Sequence, residues 1–287
     1  MPGFFQAVAA ASKVNLVTTN VVSDSLWIDL RPDNVSGTTV IDQSGYGRNG
    51  TLYNGAMVTT APTGETAFYT DGVNDAIHYR ITSSTEKPST GFPFTCEAWL
   101  YRDDSLGTGS ANAHFGKPHN SRYRMFDVDV LQTSNQVITN NYAFRVRFYT
   151  NRVTDTDNNF NSNYQQVNPE VLQTEFSTSD QTWYHVVGVF YEISNVLFVD
   201  TYINGQLFKE AANDTAGGGS PTGSAWPWEG SVSTSSPMSW GFGYRERSTT
   251  ADIYTNQYCG DFRMYTKQLT SSEILQNYEA TKSNYGY

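Results

Sequence analysis

The last folded stretch of the chain, residues 260–278, limits the architecture more than any other. Residues 260–265 read as a strand, and a polar turn follows. Thr270 and Glu273 then stand three apart, the capping-box pattern in which each side chain satisfies the other residue's backbone N–H. Ile274, Leu275 and Tyr278 are expected to share one face of the helix that starts there. A helix of about two turns does not hold alone in water, so this face must rest on a larger body. The preceding sequence supplies strands for that body.

Residues 25–30 form the first predicted strand, and residues 94–101 carry large side chains on both faces, as a central strand covered on both sides does. Strands are also predicted at 122–130, 142–149, 183–191, 196–203 and 239–244. In the second of these Tyr142, Phe144, Val146 and Phe148 alternate with Ala143, Arg145, Arg147 and Tyr149, so one face is core and the other presents two arginines. Asn204-Gly205 between two strand patterns predicts a type I′ hairpin, whose central residues both need positive φ. Residues 42–52, with three glycines, read as a compact ordered loop, and residues 71–75 as a turn. Residues 151–168 and 245–257 read as polar loops, and 213–223 as a Gly/Ser-rich insertion. Many strands, one terminal helix and no βα alternation predict an all-β, antiparallel two-sheet sandwich. The domain is bounded at 21–282, with an arm over residues 1–20 and a tail over 283–287.

The chain has 287 residues, 28 of them acidic and 18 basic, for a net charge of −10. That sign disfavours nucleic acid and anionic membrane surfaces unless the arginines cluster. Cys96 and Cys259 are too few for a disulfide scaffold and are read as buried free thiols. No segment approaches the roughly 20 apolar residues of a membrane span. The apolar run near Met1 has no positive residue before it, so no cleaved secretory signal is expected.

Taken in order, residues 42–50, 71–75, 94–99, 183–187, 202–205, 241–243 and 260–274 resemble the laminin-G-like, pentraxin-like branch of the concanavalin A-like lectin/glucanase folds. The resemblance spans residues 26–279 and implies a curved jelly-roll sandwich with one concave sheet and loops at its rim. It also marks departures. The pentraxin disulfide cannot form, because Cys96 meets no cysteine in 183–191. The pentraxin double-calcium segment is replaced by Tyr244, Arg245, Glu246 and Arg247, where two arginines repel a hard dication. The resemblance allows a single structural calcium at Asp42, Asp71 and Asp75. The competing use of these carboxylates is the Asx turn, in which each bonds its own loop backbone.

Glycoside hydrolases of this fold carry paired glutamates on a concave strand, one to attack or stabilise and one to donate a proton. This chain lacks such a run. Glu97, on one face with Trp99 and Tyr101, is the single carboxylate placed for it, so no enzymatic activity is expected. His114 and His119 suit neither a helical pair nor a zinc knuckle. Trp226, Trp228 and Tyr244 lie in or beside predicted loops, where aromatic faces stack on sugar rings and Arg245 can bond hydroxyls; the alternative for the tryptophans is to plug one end of the sandwich.

The sequence therefore predicts a non-enzymatic, lectin-like recognition or structural module binding a glycan or a protein surface. It is expected as a homo-oligomer or part of a larger assembly, such as an appendage or decoration component of a virus particle, at a virion or extracellular surface. The alternatives are a cell-surface lectin and a glycoside hydrolase or lyase of the same fold.

Overall fold

Strand β8 (Phe94–Arg102) shows how the sequence builds the sandwich: Cys96, Ala98 and Leu100 enter the inter-sheet core, while Thr95, Glu97, Trp99 and Tyr101 point to the other side. The computed structural model describes residues 20–86, 88, 93–103, 113–116, 124–132, 142–151, 164–167, 170–172, 181–193, 196–212, 238–246 and 252–287. The predicted arm thus lies almost wholly outside the described residues, as do Trp226 and Trp228.

Ahead of β8 come β1 (Leu26–Leu30), β2 (Val35–Ser36), β3 (Thr39–Val40), β4 (Gly50–Tyr53), β5 (Met57–Thr60), β6 (Thr66–Asp71) and β7 (Ala76–Ile81). After it come β9 (Ala113–Gly116), β10 (Arg124–Gln132), β11 (Tyr142–Asn151), β12 (Tyr164–Val167), β13 (Glu170–Leu172) and β14 (Thr182–Ile193). The chain continues through β15 (Val196–Ile203), β16 (Gln206–Ala212), β17 (Met238–Phe242), β18 (Tyr244–Glu246), β19 (Asp252–Tyr254) and β20 (Asn256–Tyr265) to helix α1 (Ser271–Thr281).

Every described pairing is antiparallel. One sheet runs β16-β15-β14-β8-β20-β6-β5, with β1 also on β20; the other runs β12-β11-β10-β9-β17-β7-β4-β3-β2, with β13 also on β11. Strand β18 pairs only with β19. The chain is an antiparallel β-sandwich with one short helix near its end, as the strand-and-turn pattern predicts. The Asn204-Gly205 hairpin joins β15 to β16 with φ of 50° and 77°, the two positive values that a type I′ turn needs.

Three short strands interrupt stretches read as loops. Strand β12 lies within 151–168, β19 lies within 245–257, and β18 runs from 244 into that stretch. Strands of three or four polar residues carry too few alternations to be seen as periodic.

The capping box is present, with the Glu273 N–H donating to Thr270 Oγ1 and the Thr270 N–H donating to Glu273 Oε2. The docked face differs from the expected one. Ile274, Asn277 and Thr281 are buried, and Leu275 is 45% exposed. At 100° per residue, 274, 277 and 281 form one stripe and 275 falls beside it. Burying Ile274 contributes about 2 kcal/mol. The two polar residues are drawn inward by partners on the sheet, described next.

Candidate functional site

The outer face of the eight-stranded sheet holds the one carboxylate that the sequence placed for chemistry. Glu97 is fully buried there, beneath α1. Its Oε1 accepts from Arg263 Nη1 at 3.0 Å, and its Oε2 accepts from Asn277 Nδ2 at 2.9 Å and lies 3.5 Å from His185 Nε2. Arg263, also fully buried, faces two more carboxylates: Nε is 3.0 Å from Asp29 Oδ1, an ion pair without hydrogen-bond alignment, and Nη2 donates to Asp261 Oδ2. Arg31 closes on Asp29 from the rim, with Nε 3.0 Å from both carboxylate oxygens.

Burial pushes the Glu97 carboxyl up. The nearby His185 imidazole, the Arg263 charge and the Asn277 amide outweigh it and hold the pKa at about 2. At Asp261 burial wins: it raises the carboxyl by more than the Arg263 charge and the Tyr285 hydroxyl lower it. Burial also pushes the Cys96 and Cys259 thiols well up, and both are free.

Around this cluster the surface is closed by aromatics. Trp99 stacks on Tyr285 at 4.4 Å and 20°, and its Nε1 donates to Thr281 Oγ1 at 3.0 Å. Residues 283–287, set apart in the sequence as a tail, help to seal this face. Tyr285 donates to Asp261 Oδ1, and Tyr287 donates to the Trp183 carbonyl. A general acid must reach its substrate, and Glu97 is ionised, neutralised and covered. The arrangement fastens β1, β8, β14, β20 and α1 to one another.

The outer face of the ten-stranded sheet is organised differently. Its backbone register stacks alternating rows. One row, whose Leu52, Ile77 and Phe242 lie in the core, continues in register through positions 113, 128 and 146. Another row, whose Trp240 is in the core with Tyr79 packed against it, continues in register through positions 115, 126, 148 and 167. Between them, on the opposite face, lies Thr51, His78, Gly241, His114, Asp127, Arg147. Two residues along on that face, Arg80 stands opposite Ser239 and Ser239 opposite Gly116, beyond which the register shifts between Arg124 and Phe126. Toward the other end Arg145 stands opposite Asp129 and Glu170. Tyr53 stacks on His78 at 4.2 Å and 27°. Gly241 admits no side chain, since a Cβ there would lie 1.8 Å from the Ile77 carbonyl oxygen.

Thus the two arginines read as the polar face of 142–149 belong to a band of polar rows spanning six strands. Alternation was visible in the sequence; which residues stand side by side depends on register between distant strands, which a single sequence does not display.

Tyr244, read as the end of a strand beside a loop, and Arg245, read as the first residue of that loop, both lie in β18, opposite Tyr254 and Ile253. A bend at Gly243, with φ of 82°, joins β18 to the strand carrying Gly241 and Ser239.

The three aspartates read as calcium candidates have other uses. Asp42 Oδ1 accepts from the Asp29 and Ser44 N–H groups, and its Oδ2 accepts from the Arg48 N–H and the Ser44 hydroxyl. Asp71 Oδ1 accepts from the Val73 N–H, and Asp75 accepts from the Gly55 and Asp71 N–H groups. These are the Asx-type contacts weighed against calcium from the sequence. Among the described residues no three His, Cys, Asp or Glu side chains converge as a metal site. The loop that Asp42 holds positions Arg48 between Trp27 and the exposed Tyr46, 4.4 and 4.5 Å from their ring centroids.

No family model and no curated protein sequence matches the chain. Solved structures do resemble it. The botulinum neurotoxin serotype D/C binding domain matches with a TM-score of 0.54 at 14% identity, over 92% of this chain and 53% of that one. A structure reported with the dependence of botulinum neurotoxin type C cell entry on two ganglioside molecules gives 0.52 at 14%, over 90% and 51%. Trypanosoma rangeli sialidase in complex with sialic acid gives 0.50 at 15%, over 92% and 34%. The chain therefore spans about half the length of the neurotoxin chains and a third of the sialidase chain. At these identities the likeness is one of fold, and the chain is a two-sheet antiparallel β-sandwich with a short helix packed on one outer face.

Proposed function

We propose that the chain is a non-enzymatic recognition module of laminin-G-like type, binding glycan on the outer face of its ten-stranded sheet. The observation that carries this reading is the row Thr51, His78, Gly241, His114, Asp127, Arg147. Hydroxyl-rich ligands are held by convergent donors and acceptors beside an aromatic surface, and the register sets positions occupied by a carboxylate, a guanidinium, an imidazole and a hydroxyl residue in one row that begins beside Tyr53. Two further facts support it. Glu97 is sealed beneath α1, and the fold is shared with a toxin whose cell entry depends on gangliosides and with a sialidase bound to sialic acid. The setting we propose is a surface component of a larger assembly, such as a virus particle. Composition supports that setting: a net charge of −10 over a chain with 16% charged residues.

A glycan-array assay on the purified chain, run with calcium and with chelator, tests this reading. Wild-type binding that is lost in Tyr53→Ala and Asp127→Ala is the expected result. Binding that survives both changes but is lost in Trp226→Ala or Trp228→Ala moves the site to the loop named from the sequence. Glycan cleavage by the chain overturns the non-enzymatic part.

A further inference from the structure

The two ends of the eight-stranded sheet are finished differently. Strand β16, at one end, carries Lys209 and Glu210, and its register against β15 shifts between Thr201 and Tyr202. Charge and irregular register are means by which an edge strand is kept from pairing with another chain. Strand β5, at the other end, has neither. It pairs with β6 in unbroken register, it consists of Met57, Val58, Thr59 and Thr60, and residues 54–64 contain no charged side chain. The Ala61 N–H donates to the Glu65 carbonyl at 2.8 Å across the turn, which sets the phase of the ladder. Hydrogen-bonded and non-bonded pairs alternate along antiparallel strands, so the backbone groups of Met57 and Thr59 face β6, and the N–H and C=O groups of Val58 and Thr60 point off the sheet. Among the described residues no strand lies beyond β5. On the outer face a row of large side chains, Trp183, Tyr101, Tyr258, Tyr69 and Met57, crosses from β14 to this edge. It opens as it goes, from 2% exposure at Trp183 to 49% at Met57.

We propose that β5 is a self-association edge, at which a second copy of the chain adds its own β5 antiparallel and continues the eight-stranded sheet across a two-fold axis. Residues opposite one another in a sheet share a face, so a two-fold at Thr59 sets Val58 opposite Thr60 of the partner subunit and Thr59 opposite the partner's Thr59. Val58 and Thr60 hold the outward N–H and C=O groups, so this register satisfies all of them and the strand is complementary to itself. Threonine opposite threonine is a favourable cross-strand pair. A chain of net charge −10 repels its own copies at long range, and an edge without charge adds no like-charge contact of its own. The added strand also covers Met57, at the open end of the aromatic row.

Sedimentation velocity of the whole chain over a rising concentration series tests this, with amide hydrogen exchange measured at the same concentrations. The expected result is a monomer–dimer equilibrium in which the Val58 and Thr60 amides exchange more slowly as dimer accumulates. Thr60→Pro removes an outward donor and leaves the β6 ladder in place, and Thr59→Lys sets like charges face to face on the two-fold. Each is expected to weaken dimerisation by about tenfold or more. The lysine variant keeps every backbone donor, so it probes the edge even where proline disturbs the strand. An unchanged thermal midpoint of the dilute monomer confirms that the loss is local to the interface. A chain that stays monomeric throughout the series, or a dimer that forms equally well in both variants, overturns the proposal. Glycan binding is measured on the other sheet, so neither of these outcomes overturns the recognition reading.

Discussion

Arg263 and Arg80 stand on opposite outer faces of the same sandwich. Arg263 is fully buried among Asp29, Glu97 and Asp261, while Arg80 is exposed and makes no ion pair among the described residues. The eight-stranded sheet spends its polar groups on itself, and α1, Tyr285 and Tyr287 cover them. The ten-stranded sheet sets its polar groups in register rows that no described helix covers. The difference shows how one fold can close its polar groups on one outer face and leave a charge unpaired on the other. A buried charge whose every partner is supplied internally holds strands together, and a charge without a partner is left for something else.

Arg263→Met breaks this comparison most sharply. It leaves three buried carboxylates facing one another without their central cation, and a loss of about 3–5 kcal/mol is expected in urea unfolding. Asn277→Ala is next. It removes the amide that donates to Glu97 and Tyr265 and the carbonyl that accepts from the Val22 N–H, for about 1–3 kcal/mol.

The pH dependence sharpens the same point. The Glu97 carboxyl is lowered from 4.5 to about 2 in the folded chain. The unfolded chain therefore binds the proton first as pH falls. The stability that Glu97 contributes is complete above about 4.5 and is lost progressively as pH falls toward about 2. Unfolding curves of wild type and Glu97→Gln at pH 7, 4 and 3 should converge as the pH drops. Parallel curves would show that Glu97 is not the titrating group.

Thr270→Ala removes one half of the capping box at the exposed start of α1 and should cost about 1 kcal/mol. Arg80→Ala should change stability by less than about 0.5 kcal/mol, since it breaks no described contact. A large destabilisation there would mean that the polar face of the ten-stranded sheet is structural after all.

These expectations trace what was legible in the sequence. The Thr270–Glu273 cap and the Asn204-Gly205 hairpin were readable because each interaction closes within four residues. The alternation of β8 and β11 was readable for the same local reason. The burial of Asn277 in place of Leu275 was not, because its partner Glu97 lies 180 residues earlier in the chain. Nor was the pairing of Arg80 with Ser239 across β7 and β17, which depends on register between strands more than 150 positions apart. The metal candidates illustrate the ambiguity of composition. An aspartate in a glycine loop looks the same in sequence whether it faces a cation or, as Asp42 does, four donors of its own loop and the strand beside it.

Asn277 carries one more consequence. The same side chain that bonds Glu97 receives the Val22 N–H, and the neighbouring Gln276 donates to the Asn20 carbonyl, while Tyr287 ends against Trp183 and Trp99 on that side. Both ends of the described fold therefore emerge from the helix-bearing side. A tether or fusion attached after Tyr287 leaves from there and points the polar rows of the other sheet away from its anchor, so the fold is oriented by its own carboxyl end.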